Sequence, residues 1–127
     1  DITVIIILGG YYIGDFGEST ATEYLISKGY TIIEKNFRCK TGEIDIIAKD
    51  NNYIVFIEVK TRYGNKYGHP CESITQKKQY KIYHTAEYYM IIKKLYNSYF
   101  RFDVIEIVLN DSNNNCSVNL IKNAFPL

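Results

Sequence analysis

The sequence predicts an α/β domain, a mixed β-sheet flanked by helices in the order αβββαββ. Three observations carry that expectation. Five runs are rich in β-branched and aromatic residues, several of them alternating apolar with polar. Two stretches space their apolar residues at helical intervals instead, one before the first three runs and one after them. Short clusters of Gly, Asn and Asp punctuate the runs as turns. At 127 residues the chain fits one compact domain, expected to span 1–127, and is long enough to bury a core unaided.

The first helix is expected to start near Asp15, whose side chain can cap it, with Glu18 three residues on as in a capping box. Ala21, Tyr24 and Leu25 supply its period, and Gly29 is a natural stop. Tyr30 to Arg38 reads as a strand, Lys40-Thr41-Gly42 as a turn, and Glu43 to Lys49 as a second strand. Asn51-Asn52 closes a hairpin onto a third strand, Tyr53 to Thr61. A loop bearing Gly64, Gly68 and Pro70 leads to a helix from about Thr75 to about Tyr96, with Ile82, Ala86, Tyr89 and Met90 on one face. Phe100 to Leu109 alternates as a fourth strand, Asp111 to Asn115 turns, and Val118 to Ile121 is a short last strand.

Composition narrows the function classes. A net charge of +1 argues against a generic polycation, but residues 60–94 hold 8 Lys/Arg against 2 Asp/Glu. A segment this basic can cradle phosphates, and a solvated Lys-rich helix face explains it equally well. Cys39, Cys71 and Cys116 form no C-x-x-C pair, and His69 and His84 do not complete a zinc pattern. Reduced cysteines of an intracellular protein are the plain reading. The apolar run Thr3 to Leu8 is far short of the roughly 20 residues a membrane helix needs, and it lacks a signal-peptide pattern. A cytoplasmic protein without a membrane partner is expected.

The chemistry concentrates on the second and third strands. With Asn51-Asn52 as a two-residue loop, residue 50 faces 53, Asp45 faces Glu58 and Glu43 faces Lys60. Period two then places Glu43, Asp45, Glu58 and Lys60 on one face, with Ile44, Ile46, Ala48, Val55, Ile57 and Val59 on the other. Opposed carboxylates lie about 5 Å apart at Cβ and repel. A hard divalent cation, Mg²⁺ or Mn²⁺, reverses the sign of that interaction and can activate water against a phosphodiester. Lys60 can orient that water or neutralise phosphate charge. The structural alternative is that Lys60 merely bridges two acids on a solvated sheet face.

The run Gly42-Glu43-Ile44-Asp45, followed after 12 residues by Glu58-Val59-Lys60-Thr61-Arg62, resembles the D…E-x-K signature of restriction-endonuclease-like, PD-(D/E)xK nucleases. More specifically it resembles the YraN/UPF0102 family of small bacterial proteins. Phe16-Gly17-Glu18, Gly29-Tyr30, Asn36-Phe37-Arg38, Arg101-Phe102-Asp103-Val104 and Ile121-Lys122-Asn123-Ala124-Phe125 match family landmarks, so the resemblance covers about residues 14–125. Residues 1–13 depart from the family's usual polar or basic opening, and Ile44 stands where the signature has proline. The resemblance implies a restriction-endonuclease-like core close to archaeal Holliday-junction resolvases. It implies Asp45 and Glu58 as metal ligands, Lys60 as the catalytic lysine, and Glu18 as an acidic helper from the first helix. The expected function is Mg²⁺- or Mn²⁺-dependent hydrolysis of nucleic acid, DNA above all, with Arg62, Lys77, Lys78 and Lys81 as phosphate contacts; Gln79 lies beside them. Nucleases of this fold that cut two strands often pair up, which leaves a homodimer open.

Two rival readings remain at this level. A catalytically silent nucleic-acid-binding module could keep the same fold, its aromatic residues serving base stacking. Alternatively, Val4 to Leu8, then Gly9, Gly10, Gly14 and Gly17, a helix and a strand reaching Glu34, imitate a dinucleotide-binding unit. The glycine spacing is wrong for G-x-G-x-x-G, and a hairpin follows where a further βαβ unit belongs.

Overall fold

The computed structural model describes residues 10–63, 74–110 and 115–125. Its elements are α1 (Gly10–Ser27), β1 (Thr31–Cys39), β2 (Gly42–Asp50), β3 (Tyr53–Tyr63), α2 (Gln76–Ile92), β4 (Tyr99–Asn110) and β5 (Asn115–Ile121), which is the αβββαββ order of an α/β fold. The apolar run 3–8, the glycine loop after β3 and most of the turn before β5 lie outside the described residues. The sheet follows chain order, β1-β2-β3-β4-β5. β3 and β4 are parallel, with α2 in the connection between them, and the other neighbours are antiparallel. This arrangement is consistent with a restriction-endonuclease-like core.

Each face of the sheet is covered by one helix. Ile82, Ala86, Tyr89 and Met90 of α2 pack with Ile44, Ile47, Ile54, Phe56, Phe102 and Val104. Phe16, Ala21 and Leu25 of α1 pack with Ile46, Ala48, Val55, Ile57, Ile105, Ile107 and Leu109. Burial on both sides explains why β4 is buried without a break from Phe102 to Leu109. Gly17 lets α1 sit against β3, since a Cβ there would collide with the Thr61 hydroxyl.

Both helices end in the same hydrogen-bond pattern. At α1, Tyr30 N–H bonds Leu25 C=O and Gly29 N–H bonds Ile26 C=O, with Gly29 at a φ of +92°. At α2, Leu95 N–H bonds Met90 C=O and Lys94 N–H bonds Ile91 C=O, with Lys94 at +55°. That closure stops α2 at Ile92, four residues before Tyr96, where the apolar spacing alone would carry it. The start of α2 is as expected, with the Thr75 hydroxyl accepting from Lys78 N–H at 3.1 Å.

Two further expectations are corrected. Because α1 begins at Gly10, Asp15 lies inside the helix and no capping box with Glu18 forms there. Gly10, Gly14 and Gly17 are helical too, so they make no phosphate-binding loop. The second correction concerns β2. The hairpin register is as predicted, from Asp50 facing Tyr53 to Ile46 facing Ile57, and Asn51 takes the left-handed φ of +54°. Strict alternation nevertheless fails within β2, because Ile44 packs under α2 whereas Ile46 packs under α1. Asp45 sits at this slip, and the paired ladder ends one step before it.

Candidate functional site

β2 slips at Asp45 because a side chain takes over a backbone role. Val59 N–H donates to the Asp45 carboxylate at 2.8 Å, supplying a partner beyond the end of the ladder. Across the sheet, Lys35–Ile46 and Phe37–Ile44 pairs bracket the place where Asn36 meets Asp45. Asn36 adopts a φ of +55°, which asparagine tolerates better than most residues. Asp45 keeps the α2 side that alternation from Ile46 gives it, with Glu58 and Lys60, and the slip turns Ile44 to that side as well. There helix and sheet leave an open cleft of about 280 Å³. Gly42, Glu43, Asp45, Glu58, Lys78 and Lys81 line it, with Ile82 at its floor.

The cleft is electrostatically stressed. Burial, and then the charge of Glu58, push the Asp45 carboxyl up from 3.8 to about 7, against the lowering effect of the Val59 N–H. Glu58 is nearly buried, its side chain 10% exposed, and lies 3.4 Å from the Lys78 ammonium. Lys60 is held below the usual lysine range by burial and by the like charge of Lys78, with Glu58 and Asp45 partly offsetting them. Two carboxylates and two ammonium groups therefore face one another in a partly dehydrated space beside the first turn of α2. The α2 amide groups add a positive end to this side of the cleft.

The other candidate residues are distributed differently. Lys81 lines the cleft, whereas Lys77 is exposed one residue before Lys78 on α2. Gln79 turns inward, donating to Ile74 C=O at 3.0 Å. Arg62, expected to reach phosphate, is ion-paired with Glu106. Glu43 does not face Lys60 as the hairpin register suggests; it pairs with Arg38 at 3.1 Å across β1 and β2. Glu18 accepts a 2.9 Å hydrogen bond from the Asn36 amide. Among the described residues no set of three or more His, Cys, Asp or Glu side chains is placed to cage a metal ion, so the cleft offers a two-carboxylate donor set in which Glu18 is not included.

The sequence reading missed Glu106. It is buried, and on β4 it stands beside Lys60 of β3 in the parallel ladder. A carboxylate set between the apolar pairs Val104-Ile105 and Ile107-Val108 of β4 was the available signal. The basic segment was informative in part, since Lys60, Lys78 and Lys81 do converge on the carboxylates. Cys39 and Cys116 are free thiols, and among the described residues no helix is long and apolar enough to cross a membrane.

Comparison with known proteins adds the lineage. A family model described as "Uncharacterised protein family UPF0102" matches residues 17–107. A UPF0102 protein of Clostridium botulinum (strain Loch Maree / Type A3) is 63% identical over 116 residues, covering 91% of this chain and 94% of its own. The counterpart from strain Kyoto / Type A2 is 64% identical over the same coverage. A UPF0102 protein of Clostridium tetani (strain Massachusetts / E88) is 57% identical over 115 residues, with 91% of this chain and 94% of its own covered. The matched span contains every residue that lines the cleft, and by both measures this chain belongs to the UPF0102 family.

Proposed function

We propose that this protein hydrolyses phosphodiester bonds of nucleic acid, DNA above all, with Mg²⁺ or Mn²⁺ held by Asp45 and Glu58. The observation that carries this reading is the placement of the Asp45 carboxylate beside that of Glu58, itself 10% exposed, in one cleft flanked by Lys78 and Lys81. A merely structural sheet gains nothing from that pair, because removing carboxylates from water next to each other costs stability. The donor set fits a hard divalent ion, which takes oxygen ligands and keeps several waters for a phosphate to replace. Bound there, the ion would supply Lewis acidity and a water acidified toward neutrality.

The chain's own groups do the rest. Lys60 holds an ammonium beside both carboxylates, where it orients the attacking water and offsets charge growing on the phosphate. Lys78 leaves Glu58 for a phosphate oxygen once the carboxylate is otherwise engaged. Lys77 and Lys81 extend the positive surface along α2, and two copies of the chain would serve a two-stranded cut.

Glu58→Gln and Lys60→Ala are expected to lower Mn²⁺-dependent nicking of junction, flap and single-stranded substrates by about 100-fold or more. Their circular dichroism spectra should match the wild type. Rates equal to the wild type in either variant remove that residue from the mechanism. The second reading, a binding module without catalysis, is favoured by the Lys78–Glu58 ion pair, which already neutralises one carboxylate. It gains if the wild type binds these substrates but cuts none of them in either metal.

A further inference from the structure

Helix α2 carries two stripes. One, through Ile82, Thr85, Ala86, Tyr89 and Met90, is buried against the sheet. The other runs through Tyr80, His84, Tyr88 and Ile91, spaced by four, four and three residues, which is one line along a helix. Tyr80 is 66% exposed, Tyr88 47% and Ile91 54%, and no described element covers them. They line a groove of about 600 Å³ together with Lys40, from the turn between β1 and β2, and Lys81.

The rings are held in place on their inner sides. Tyr80 meets the His84 ring edge-to-face at 4.1 Å, and Tyr88 leans on Phe37 at 6.5 Å. Despite these contacts about half or more of each tyrosine stays exposed to solvent. Glu87, the one acidic residue among the described residues that line the groove, lies 3.2 Å from His84, and against it the lining sets two ammonium groups, Lys40 and Lys81. Lys81 also lines the Asp45–Glu58 cleft, so the groove and the cleft share a wall.

We propose that this stripe is a binding track for single-stranded nucleic acid: Tyr80 and Tyr88 each stack one unpaired base, and Lys40 and Lys81 hold the phosphates of a strand that continues into the cleft. The placement of the cleft end rests on the nuclease reading above. A duplex is the wrong occupant, because its bases stack on one another and offer no face to a ring on a convex helix. An unpaired strand offers both elements the groove answers, a flat π-face and a regular negative charge.

The test is fluorescence anisotropy with labelled oligodeoxyuridylate and oligouridylate, which differ only in the sugar, in EDTA, where no metal supports cutting. Tyr80→Ala and Tyr88→Ala should each weaken binding by about 5- to 100-fold, the loss of one stacked base, and Tyr88→Phe should retain it. A blunt duplex of equal length should change by less than about twofold in the same variants. Tighter binding of one oligonucleotide identifies the preferred sugar and supports the track. Wild-type affinity in both alanine variants, an equal loss on duplex, or no binding by the wild type overturns it. Self-association of the wild type that Tyr88→Ala abolishes also overturns it, assigning the face to a second copy. A wild type that binds through the rings yet never cuts in Mn²⁺ ends the nuclease reading alone; one that cuts while both alanine variants bind normally ends the track alone.

Discussion

Asp45 concentrates most of what is unusual in this molecule. Its carboxylate accepts the Val59 N–H, faces the charge of Glu58, and is raised from 3.8 to about 7. Between those values the folded chain keeps a proton that the unfolded chain has released. Stability therefore declines as pH rises through that window and stays at the lower level above it. Asp45→Asn keeps an oxygen for Val59 and removes the charge. At pH 8 without metal it should melt higher than the wild type, by about 2–8 °C for each kcal/mol recovered, and the gap should narrow toward pH 4. Added Mn²⁺ should raise the melting temperature of the wild type and leave the variant unmoved. A variant that melts no higher at pH 8 would show that the carboxylate is not under charge stress.

At the scale of elements, the two helix ends make a matched pair that differs in one residue. Gly29 and Lys94 occupy equivalent left-handed positions, one at no steric cost and the other against a Cβ. Lys94→Gly is expected to stabilise the fold by about 0.5–1 kcal/mol, read from urea unfolding with an unchanged slope. The same substitution at an interior helix position would do the opposite. This pair also shows where sequence reading succeeds and fails. The α1 stop was legible because glycine advertises a positive φ, whereas the α2 stop was not, because lysine does not. The slip in β2 was hidden for a related reason. Ile44 and Ile46 look alike on paper, and only the two separate apolar covers reveal that they point to opposite faces.

Across the whole molecule, the site stands at one end of the sheet and a polar network ties the other. Arg101 donates to Asp103 at 3.0 and 3.1 Å and to Asp50 and the Tyr30 hydroxyl at 2.8 Å. Asp103, fully buried, also accepts from Tyr30 at 3.0 Å and from Asn123 N–H. These bonds join the chain before β1, the end of β2, the start of β4 and the segment after β5. Arg101→Met would leave the buried Asp103 without its cation, and a destabilisation of about 3–5 kcal/mol is expected. Arg101 also holds the Asp50 carboxyl below the usual carboxylate range, chiefly by its hydrogen bond. That stabilisation is complete above about pH 4, the ordinary aspartate value, and disappears as pH falls through the depressed value. Acid should therefore destabilise the wild type through that window, and the variant should lose this part of the pH dependence. Equal acid curves for the two would show that Arg101 contributes no charge interaction to folding.

Local chemistry, the strand and helix periods and the Asn51 turn determined the element order, the hairpin register and the gathering of Asp45, Glu58 and Lys60 near one another, because these depend on residues close in sequence. Tertiary packing decided which side of the sheet Asp45 serves, that Arg62 belongs to Glu106 and Glu43 to Arg38, and that Glu18 turns to Asn36. Each of those outcomes is a competition among partners distant in the chain, settled by which helix covers which face and which charges are driven from water together.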